Sequence, residues 1–352
     1  MRAGLIIYGD LEQATGGYLY DRMLVRELGR RGHQVNVLSL PRESKGPADE
    51  RAMLSWMRES DVIVQDELCH PSLYRTNLDR ERPVVALVHN LSTIIGRPVG
   101  SMERAYLESV DALICTSHAT LGACRSLTPR PGPAVVSHPG KDHMSPRPHR
   151  PDGEKLRILH VGNIHPVKGL DVLLTALSGM ADVPFRLEVA GAVADERFRR
   201  SLDDLMNDAL RGRVIFLGAV PAERMNELYR SADMLAVPSR YEGFGIALLE
   251  AMGSGIPVIA GREGGAKELV SHGRDGFLVP PGDHEAVARY VRALSDDALR
   301  DDMGRAARRR WEEHPTWEES LERAVDLIER MAADPGQRRQ KGGSPSWGAN
   351  EV

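Results

Sequence analysis

The sequence predicts an α/β protein of two doubly wound domains, each built on a parallel sheet, that face each other across a cleft. Its 352 residues are the length of about two domains, at roughly 100–200 residues each. Short apolar runs alternate with stretches of helical spacing, which is typical of βαβ units. The runs are unbroken, as expected for parallel strands that are buried on both faces. Ligands bind such sheets at the carboxyl ends of the strands, so the cleft is the expected site.

The first domain is predicted over residues 1–150. A helix follows its first strand, because Leu19, Met23, Leu24 and Leu28 recur at helical spacing and Gly32 closes the pattern. The other apolar runs are separated by helical or loop-like stretches. The predicted strands are residues 5–8, 35–38, 62–64, 84–88, 112–115 and 135–136.

A proline-rich linker separates the two domains. Residues 139–153 contain four prolines and no apolar periodicity, so they connect the domains rather than extend either one. The alternation resumes in a second domain over residues 151–315. Its predicted strands are residues 156–161, 186–190, 214–217, 234–237, 257–260 and 277–279. Its predicted helices are residues 170–177, 198–210, 222–230, 247–252, 285–294 and 299–311.

The composition excludes several classes of protein. Apolar residues make up 41% and charged residues 27%, so the chain is globular except for residues 332–352, a polar tail that we expect to be disordered. The early apolar run at residues 5–8 is too short for a signal peptide or a membrane span. The three cysteines form no Cys-x-x-Cys pair, which argues against a disulfide framework and a thiolate zinc site. We therefore expect a cytoplasmic protein.

The charge balance points to no nucleic-acid partner. The net charge is −4; residues 1–150 carry 19 basic and 17 acidic side chains, and the remainder carries 27 and 33. Neither half has the basic excess of a nucleic-acid binder. The small positive balance of the first half leaves open a weak peripheral attraction to an anionic membrane surface.

Two glycine-containing turns have the character of anion sites. Gly16 and Gly17 stand in the predicted loop between the first strand and the first helix, where backbone can approach a ligand closely. Residues 162–169 follow a strand but lack the Gly-Lys-Ser/Thr of a P-loop. Lys168 can still reach a diphosphate there as a point charge. The alternatives are a plain flexible turn and a solvated lysine.

Residues 242–250 join a strand to a helix and carry two glutamates. Leu248 occupies the third glycine position of a dinucleotide fingerprint, so that motif fails. A Gly-spaced turn at a helix N-terminus remains, and it favours an anion. Glu250 stands within an otherwise apolar helix, where a carboxylate is costly unless it binds something polar. The alternative is that Glu242 and Glu250 both face solvent.

The second domain resembles the retaining family 4 glycosyltransferases. Glu242 and Glu250 have the spacing of the E-x7-E signature of that family, and segments 161–169, 253–258, 264–270 and 276–283 are also similar to it. In the first domain the resemblance is limited to Gly16-Gly17 and His89. It implies the GT-B architecture of two Rossmann-like domains, a nucleoside diphosphate sugar (UDP- or GDP-linked) as donor, a hydroxyl acceptor, and no cofactor or essential metal.

The resemblance also implies the roles of single residues. His89 lies beside the transferred sugar, Lys168 neutralises the leaving diphosphate, and Glu242 holds sugar hydroxyls. Glu250 binds the ribose hydroxyls. The leaving phosphate accepts the acceptor proton on the same face, so the carboxylate pair of ordinary glycosidases is not required. The implied donor-binding residues are Gly16, Gly17, Gly162, Asn163, Lys168, Gly243, Phe244, Gly245, Ile246 and Glu250.

One cluster and one departure bear on specificity. Asp66, Glu67 and His70 follow the third strand and could ligate a metal, but acceptor contact is favoured because the first domain usually supplies acceptor specificity. Asn163 stands where the family commonly has arginine, so the site loses a cation that His165 or Arg240 could replace.

Three functions stay open: a retaining glycosyltransferase, a phosphorylase or synthase of a free disaccharide on the same fold, and a catalytically weak sugar-nucleotide-binding protein.

The resemblance finally predicts a crossover helix over residues 316–331 that leaves the second domain and packs on the first. Pro315 ends the preceding helix and permits a change of direction. Apolar residues then recur at three- and four-residue spacing and line one helix face. These residues are Trp317, Leu321, Ala324, Val325, Ile328 and Met331.

Overall fold

The computed structural model describes residues 1–41, 50–91, 101–128, 132–146 and 155–334. It contains two six-stranded sheets, and every described strand pairing within them is parallel. Helices cover both sheets, so the predicted α/β class with two doubly wound domains is confirmed. Each apolar run that predicts a strand lies within a strand, except that the run predicted over residues 257–260 begins one residue before its strand, Val258–Gly261.

The first sheet has the strand order β2-β1-β3-β4-β5-β6. Its strands are β1 (Arg2–Tyr8), β2 (Gln34–Leu40), β3 (Val62–Asp66), β4 (Val84–Val88), β5 (Ala112–Cys115) and β6 (Ala134–Val136). Its helices are α1 (Gly16–Arg30), α2 (Glu50–Arg58), α3 (His70–Leu73), α4 (Ser101–Ser109) and α5 (His118–Leu127).

The second sheet has the strand order β12-β11-β10-β7-β8-β9. Its strands are β7 (Leu156–Val161), β8 (Phe185–Ala190), β9 (Val214–Gly218), β10 (Met234–Val237), β11 (Val258–Gly261) and β12 (Gly276–Val279). The helices that follow are α6 (Leu170–Ser178), α7 (Glu196–Ser201), α8 (Ala222–Ser231), α9 (Ile246–Gly253), α10 (Ala266–Leu269), α11 (His284–Ala293), α12 (Asp297–Glu313) and α13 (Trp317–Ala333).

The strand orders place the site. The order of the chain reverses between β1 and β3 in the first sheet and between β7 and β10 in the second. Ligands of doubly wound sheets bind beside such switch points, at the carboxyl ends of the strands. The loops that follow β7 and β10 are those that carry Lys168 and Glu242.

Helix α13 packs on the first sheet. Its apolar face shares a buried core with β1, β3 and α1 of the first domain. The Thr316 hydroxyl and the Glu319 carboxylate form a capping box that begins the helix directly after Pro315. The helix runs to Ala333, so residues 332 and 333 of the predicted tail are helical. Residues 335–352 and residues 147–153 of the linker lie outside the described residues.

Two predictions about helices are wrong. Gly16 and Gly17 are not a loop, because α1 begins at Gly16 and includes both. The helix predicted over residues 198–210 ends at Ser201, and a short 3-10 turn (Asp203–Leu205) follows it. Apolar residues of several short elements contact one core here, which imitates the spacing of a single helix.

Within the described ranges, no helix combines the length and the apolar character needed to cross a membrane.

Candidate active site

The loops at the carboxyl ends of the two sheets touch each other, and glycines permit the contact. A Cβ atom on Gly243 would lie 2.2 Å from the His89 carbonyl oxygen of the other domain. A Cβ on Gly16 would lie 3.3 Å from the Ile246 side chain, closer than most side chains tolerate. Gly17 faces the His89 ring. The predicted residues Gly16, Gly17, His89, Gly243 and Ile246 are therefore together in space.

The loop after β7 carries Lys168 into this junction. Gly162 has a φ of 152°, and a Cβ there would lie 3.2 Å from the aliphatic stem of Lys168. Gly169 has a φ of 67° and lies against the Pro238 carbonyl group. Glycine at both positions lets the loop fold tightly against the loop after β10. Lys168 consequently points towards Glu242.

Lys168 and Glu242 form an ion pair. The Lys168 Nζ donates to Glu242 Oε1 at 3.0 Å and to Oε2 at 2.8 Å. The Ser239 hydroxyl donates to the same Oε2 at 3.1 Å. The ammonium group of Lys168 is thus already paired with a carboxylate. A diphosphate that bound here would compete with Glu242 for the lysine.

The N-terminus of α9 lies beside this pair. Gly245 caps the helix with a φ of 104°, and a Cβ there would lie 2.7 Å from the Leu248 side chain. The first turn of a helix presents N–H groups beyond its end and attracts anions. Phe244 is buried in the core beneath the loop. This arrangement suits the predicted cradle at residues 243–246.

Glu250 is held by two partners that the sequence interpretation missed. The Tyr229 hydroxyl donates to Glu250 Oε2 at 2.6 Å, and His143 Nε2 lies 2.8 Å from Oε1. Burial raises the pKa of Tyr229 well above its usual value, and the Glu250 charge adds to that rise. The apolar surroundings of Glu250 indicated a polar partner, but nothing in the sequence identified which.

Neither candidate replacement for the missing arginine at position 163 is free. The Arg240 guanidinium binds Asp171 through two hydrogen bonds of 2.9 Å and 2.6 Å and also reaches the Pro166 carbonyl oxygen. His165 Nδ1 accepts from the Val167 N–H at 3.3 Å and caps the turn before Lys168. Lys168 is thus the cation that this loop directs at the site.

A buried acidic cluster surrounds His89 in the first domain. His89 Nε2 lies 3.2 Å from Asp21 Oδ1, and the His89 N–H donates to Glu67 Oε2 at 2.9 Å. Asp21, Asp66 and Glu67 are all buried. Asp66 and Glu67 therefore support the His89 loop rather than stand open in the cleft. The third predicted acceptor residue is His70, whose Nδ1 lies 3.0 Å from the Glu67 carbonyl oxygen.

Burial and charge shift the pKa values of this cluster. Burial lowers the pKa of His89, but the hydrogen bond to Asp21 and the surrounding negative charges outweigh it and raise that pKa to about 10. Burial raises the pKa of Asp66 to about 6, and the charge of Asp21 acts in the same direction. Burial, followed by the charge of Asp66, raises the pKa of Glu67 well above its usual range. A charged imidazolium is thus stabilised at His89.

Two groups of side chains in the described part of the chain are close enough to hold a cation. One is Asp21, Asp66 and His89. The other is His118, His138 and Glu268, where Glu268 crosses between the domains. The predicted donor and catalytic residues of the second domain belong to neither group.

Comparison with known proteins identifies the family of the second domain and the fold of the chain. Residues 143–310 match the family described as Glycosyl transferases group 1. An uncharacterized glycosyltransferase of Methanocaldococcus jannaschii is 34% identical over 179 residues, which are 50% of this chain and 45% of that protein. Sucrose-phosphate synthase from Thermosynechococcus elongatus superposes with a TM-score of 0.82 and 23% identity, covering 94% of this chain and 99% of that one. Anabaena HepE in complex with UDP-glucose superposes with a TM-score of 0.78 and 18% identity, covering 94% and 100%.

Two Rossmann-like domains with a site between their sheets define the GT-B class of fold. Residues 143–310 belong to the group 1 glycosyl transferases, of the family 4 type. Matches to the first curated relatives span less than half of the length of each. The predicted fold and family are both confirmed.

Proposed function

We propose that the protein transfers a sugar from a nucleoside diphosphate sugar to a hydroxyl acceptor, with retention of configuration and without a metal. The Lys168–Glu242 pair, at the switch point of the second sheet and beside the N-terminus of α9, carries the proposal. It puts a cation and a hydroxyl-binding carboxylate next to an anion site. The donor is UDP- or GDP-linked, and HepE, whose structure contains UDP-glucose, supports the first of these.

The residues divide the reaction between them. The N-terminus of α9 and Lys168 bind the diphosphate, Glu242 binds sugar hydroxyls, and Glu250 binds the ribose. As the bond from the anomeric carbon to the phosphate oxygen breaks, negative charge grows on the phosphate and Lys168 stabilises it. The acceptor oxygen bonds to the anomeric carbon on the same face, and its proton passes to the leaving phosphate. His89, as an imidazolium, donates towards the transferred sugar.

Ligand-induced stabilisation tests the donor. We expect UDP or GDP, among UDP, GDP, ADP and TDP, to raise the melting temperature, because a ligand at 100 times its Kd stabilises the folded state by about 2.7 kcal/mol. Glu250→Ala should lose this response, although its melting temperature without ligand should also fall because the buried Tyr229 hydroxyl loses its acceptor. A full response in Glu250→Ala would remove that residue from the site.

Product analysis tests the reaction. With the selected donor and a panel of hydroxyl acceptors, proton NMR should show an α-linked product from an α-linked donor, at the same rate in EDTA. Inversion, or dependence on an added metal, would contradict the corresponding part of the proposal. Tight nucleotide binding without turnover over the whole panel would identify a sugar-nucleotide-binding protein instead.

A further inference from the structure

A linker histidine contacts the proposed ribose-binding carboxylate. His143 belongs to the connection between the two domains, and its Nε2 lies 2.8 Å from Glu250 Oε1. The side chains of His143 and Glu250 are only 7% and 15% exposed. A residue outside both sheets therefore completes the surroundings of a residue inside the donor site.

Trp317, a second partner of His143, determines which nitrogen of the imidazole carries the proton. The Trp317 indole N–H lies 3.2 Å from His143 Nδ1. An indole can only donate a hydrogen bond, so Nδ1 accepts and the hydrogen of a neutral imidazole is on Nε2. The histidine consequently donates to Glu250. Trp317 sets the tautomer that makes this possible.

Each oxygen of Glu250 then accepts a hydrogen bond from a different donor. His143 donates to Oε1, and the Tyr229 hydroxyl donates to Oε2 at 2.6 Å. A carboxylate has about four lone-pair positions, so each oxygen keeps one for a further donor. Two neighbouring ribose hydroxyls present two such donors. The two protein bonds fix the plane in which the carboxylate receives them.

The same histidine lies at the hinge. The linker and the chain entering α13 both cross between the domains and run side by side. The Lys141 N–H donates to the Pro315 carbonyl oxygen at 3.1 Å, and the Trp317 N–H donates to Asp142 Oδ1 at 2.6 Å. A Cβ on Gly140 would lie 2.2 Å from the Trp317 nitrogen. A change in domain orientation therefore acts on the segments that surround His143.

We propose that His143 is a positioning residue that orients Glu250 for the ribose. The inference rests on the proposed function, because it takes Glu250 as the ribose-binding residue. Its consequence is specific. Loss of His143 should reduce the ability to distinguish a ribonucleotide from its 2′-deoxy analogue, beyond any general weakening of binding.

The experiment measures the Kd of UDP and of 2′-deoxy-UDP by calorimetry on the full chain; GDP and 2′-deoxy-GDP replace them if GDP is selected. A hydrogen bond to a charged group is worth roughly 1.5–3 kcal/mol, so the wild type should prefer UDP by about tenfold or more. In His143→Ala this preference should fall to less than about threefold. His143→Gln, whose amide nitrogen can donate from a similar position, should recover part of it.

Two further variants separate positioning from general damage. Trp317→Phe keeps an aromatic ring in the core but loses the indole donor, so it should lower the preference partly. Lys141→Ala removes a linker side chain that contacts the Glu312 carbonyl oxygen and the Trp311 ring, away from Glu250, His143 and Trp317, so it should leave the preference at the wild-type value. An unchanged preference in His143→Ala, or an equal loss in Lys141→Ala, would overturn the inference. A wild type that binds neither UDP nor GDP would contradict the proposed function itself.

Discussion

Lys168 and Glu242 neutralise each other in the structure. A donor that uses both residues has to replace this ion pair with contacts of its own. The two hydrogen bonds from the lysine to the carboxylate are 3.0 Å and 2.8 Å long. In the proposed reaction, charge grows on the leaving diphosphate and attracts the lysine more strongly. We therefore expect the lysine to contribute more to the transition state than to nucleotide binding.

Lys168→Ala should lower kcat by about 10²–10³, the usual loss for one such electrostatic donor. Binding of the nucleoside monophosphate, which lacks the leaving phosphate, should remain nearly normal. Steady-state kinetics and calorimetry measure the two effects. Lys155→Ala, at the opposite end of β7 and exposed, is the control and should match the wild type. A fall in kcat of less than threefold would exclude the role.

The half-buried His89 makes stability depend on pH. Its pKa is raised to about 10 in the folded protein, from an ordinary value near 6.5. Its contribution to the free energy of unfolding is therefore complete below pH 6.5 and is lost as the pH rises towards 10. The stability difference between wild type and His89→Gln should be largest below pH 6.5 and shrink above it. Urea unfolding at several pH values measures this, and a pH-independent difference would contradict the charge assigned to His89.

Single site residues were predictable where a charged residue or a glycine directly follows a predicted strand. Lys168, Glu242 and the glycines of residues 162–169 and 243–245 stand beside strand ends, and the structure brings them to one place. The partners of Glu250 were not predictable, because Tyr229 lies 21 residues and His143 lies 107 residues away along the chain. Asp21 likewise gives no sequence signal of its contact with His89.

At the scale of elements, the strands were the easiest to predict. Strands buried on both faces have unbroken apolar runs. Such a run can be recognised without knowing which face of the sheet each residue lies on. Helix ends were harder to place. Gly16-Gly17 looks like a loop by composition, yet both glycines belong to the first turn of α1. A Cβ atom on Gly16 would be tight against the Ile246 side chain, whereas one on Gly17 would make an ordinary contact with the His89 ring.

Helix α13 is the element whose loss should be most damaging. Seven of its apolar side chains are buried against the first domain, and burying one large apolar side chain is worth about 1.5–3 kcal/mol. Their sum rivals the stability of a whole domain, about 5–15 kcal/mol. The buried residues are Trp317, Leu321, Ala324, Val325, Leu327, Ile328 and Met331.

A chain ending at Pro315 should therefore aggregate or unfold and lose turnover, whereas a chain ending at Asp334 should keep the melting temperature and activity of the full chain. Leu321→Ala, a milder change, should cost about 2–5 kcal/mol in the free energy of unfolding. Size-exclusion chromatography and calorimetry distinguish these cases. A monodisperse and fully active chain ending at Pro315 would show that the crossover helix is dispensable.

At the scale of the whole molecule, one carboxylate joins the two domains. Glu268 belongs to α10 of the second domain, and its Oε1 accepts from the Ala119 N–H of the first at 2.8 Å. Its Oε2 accepts from the His118 N–H at 2.9 Å and lies 3.0 Å from His138 Nε2. The carboxylate thus caps the N-terminus of α5, where a negative charge is favoured. The contact exists only while the domains are together.

Loss of this charge should favour the open arrangement. Burial raises the pKa of Glu268, but His138 and the two N–H groups outweigh it and hold that pKa below its usual value. The contact therefore favours association of the two domains above about pH 4.5 and weakens as the pH falls through the lowered pKa.

Glu268→Gln keeps the shape of the side chain but loses its charge, so it should shift the equilibrium roughly tenfold towards separated domains at pH 7. Small-angle X-ray scattering should show a larger radius of gyration for this variant, and the wild type should approach the same value on acidification. Glu263→Gln, an exposed neighbour paired with Arg262, should scatter like the wild type at both pH values; an unchanged radius in Glu268→Gln would mean that the other interdomain contacts suffice to hold the domains together.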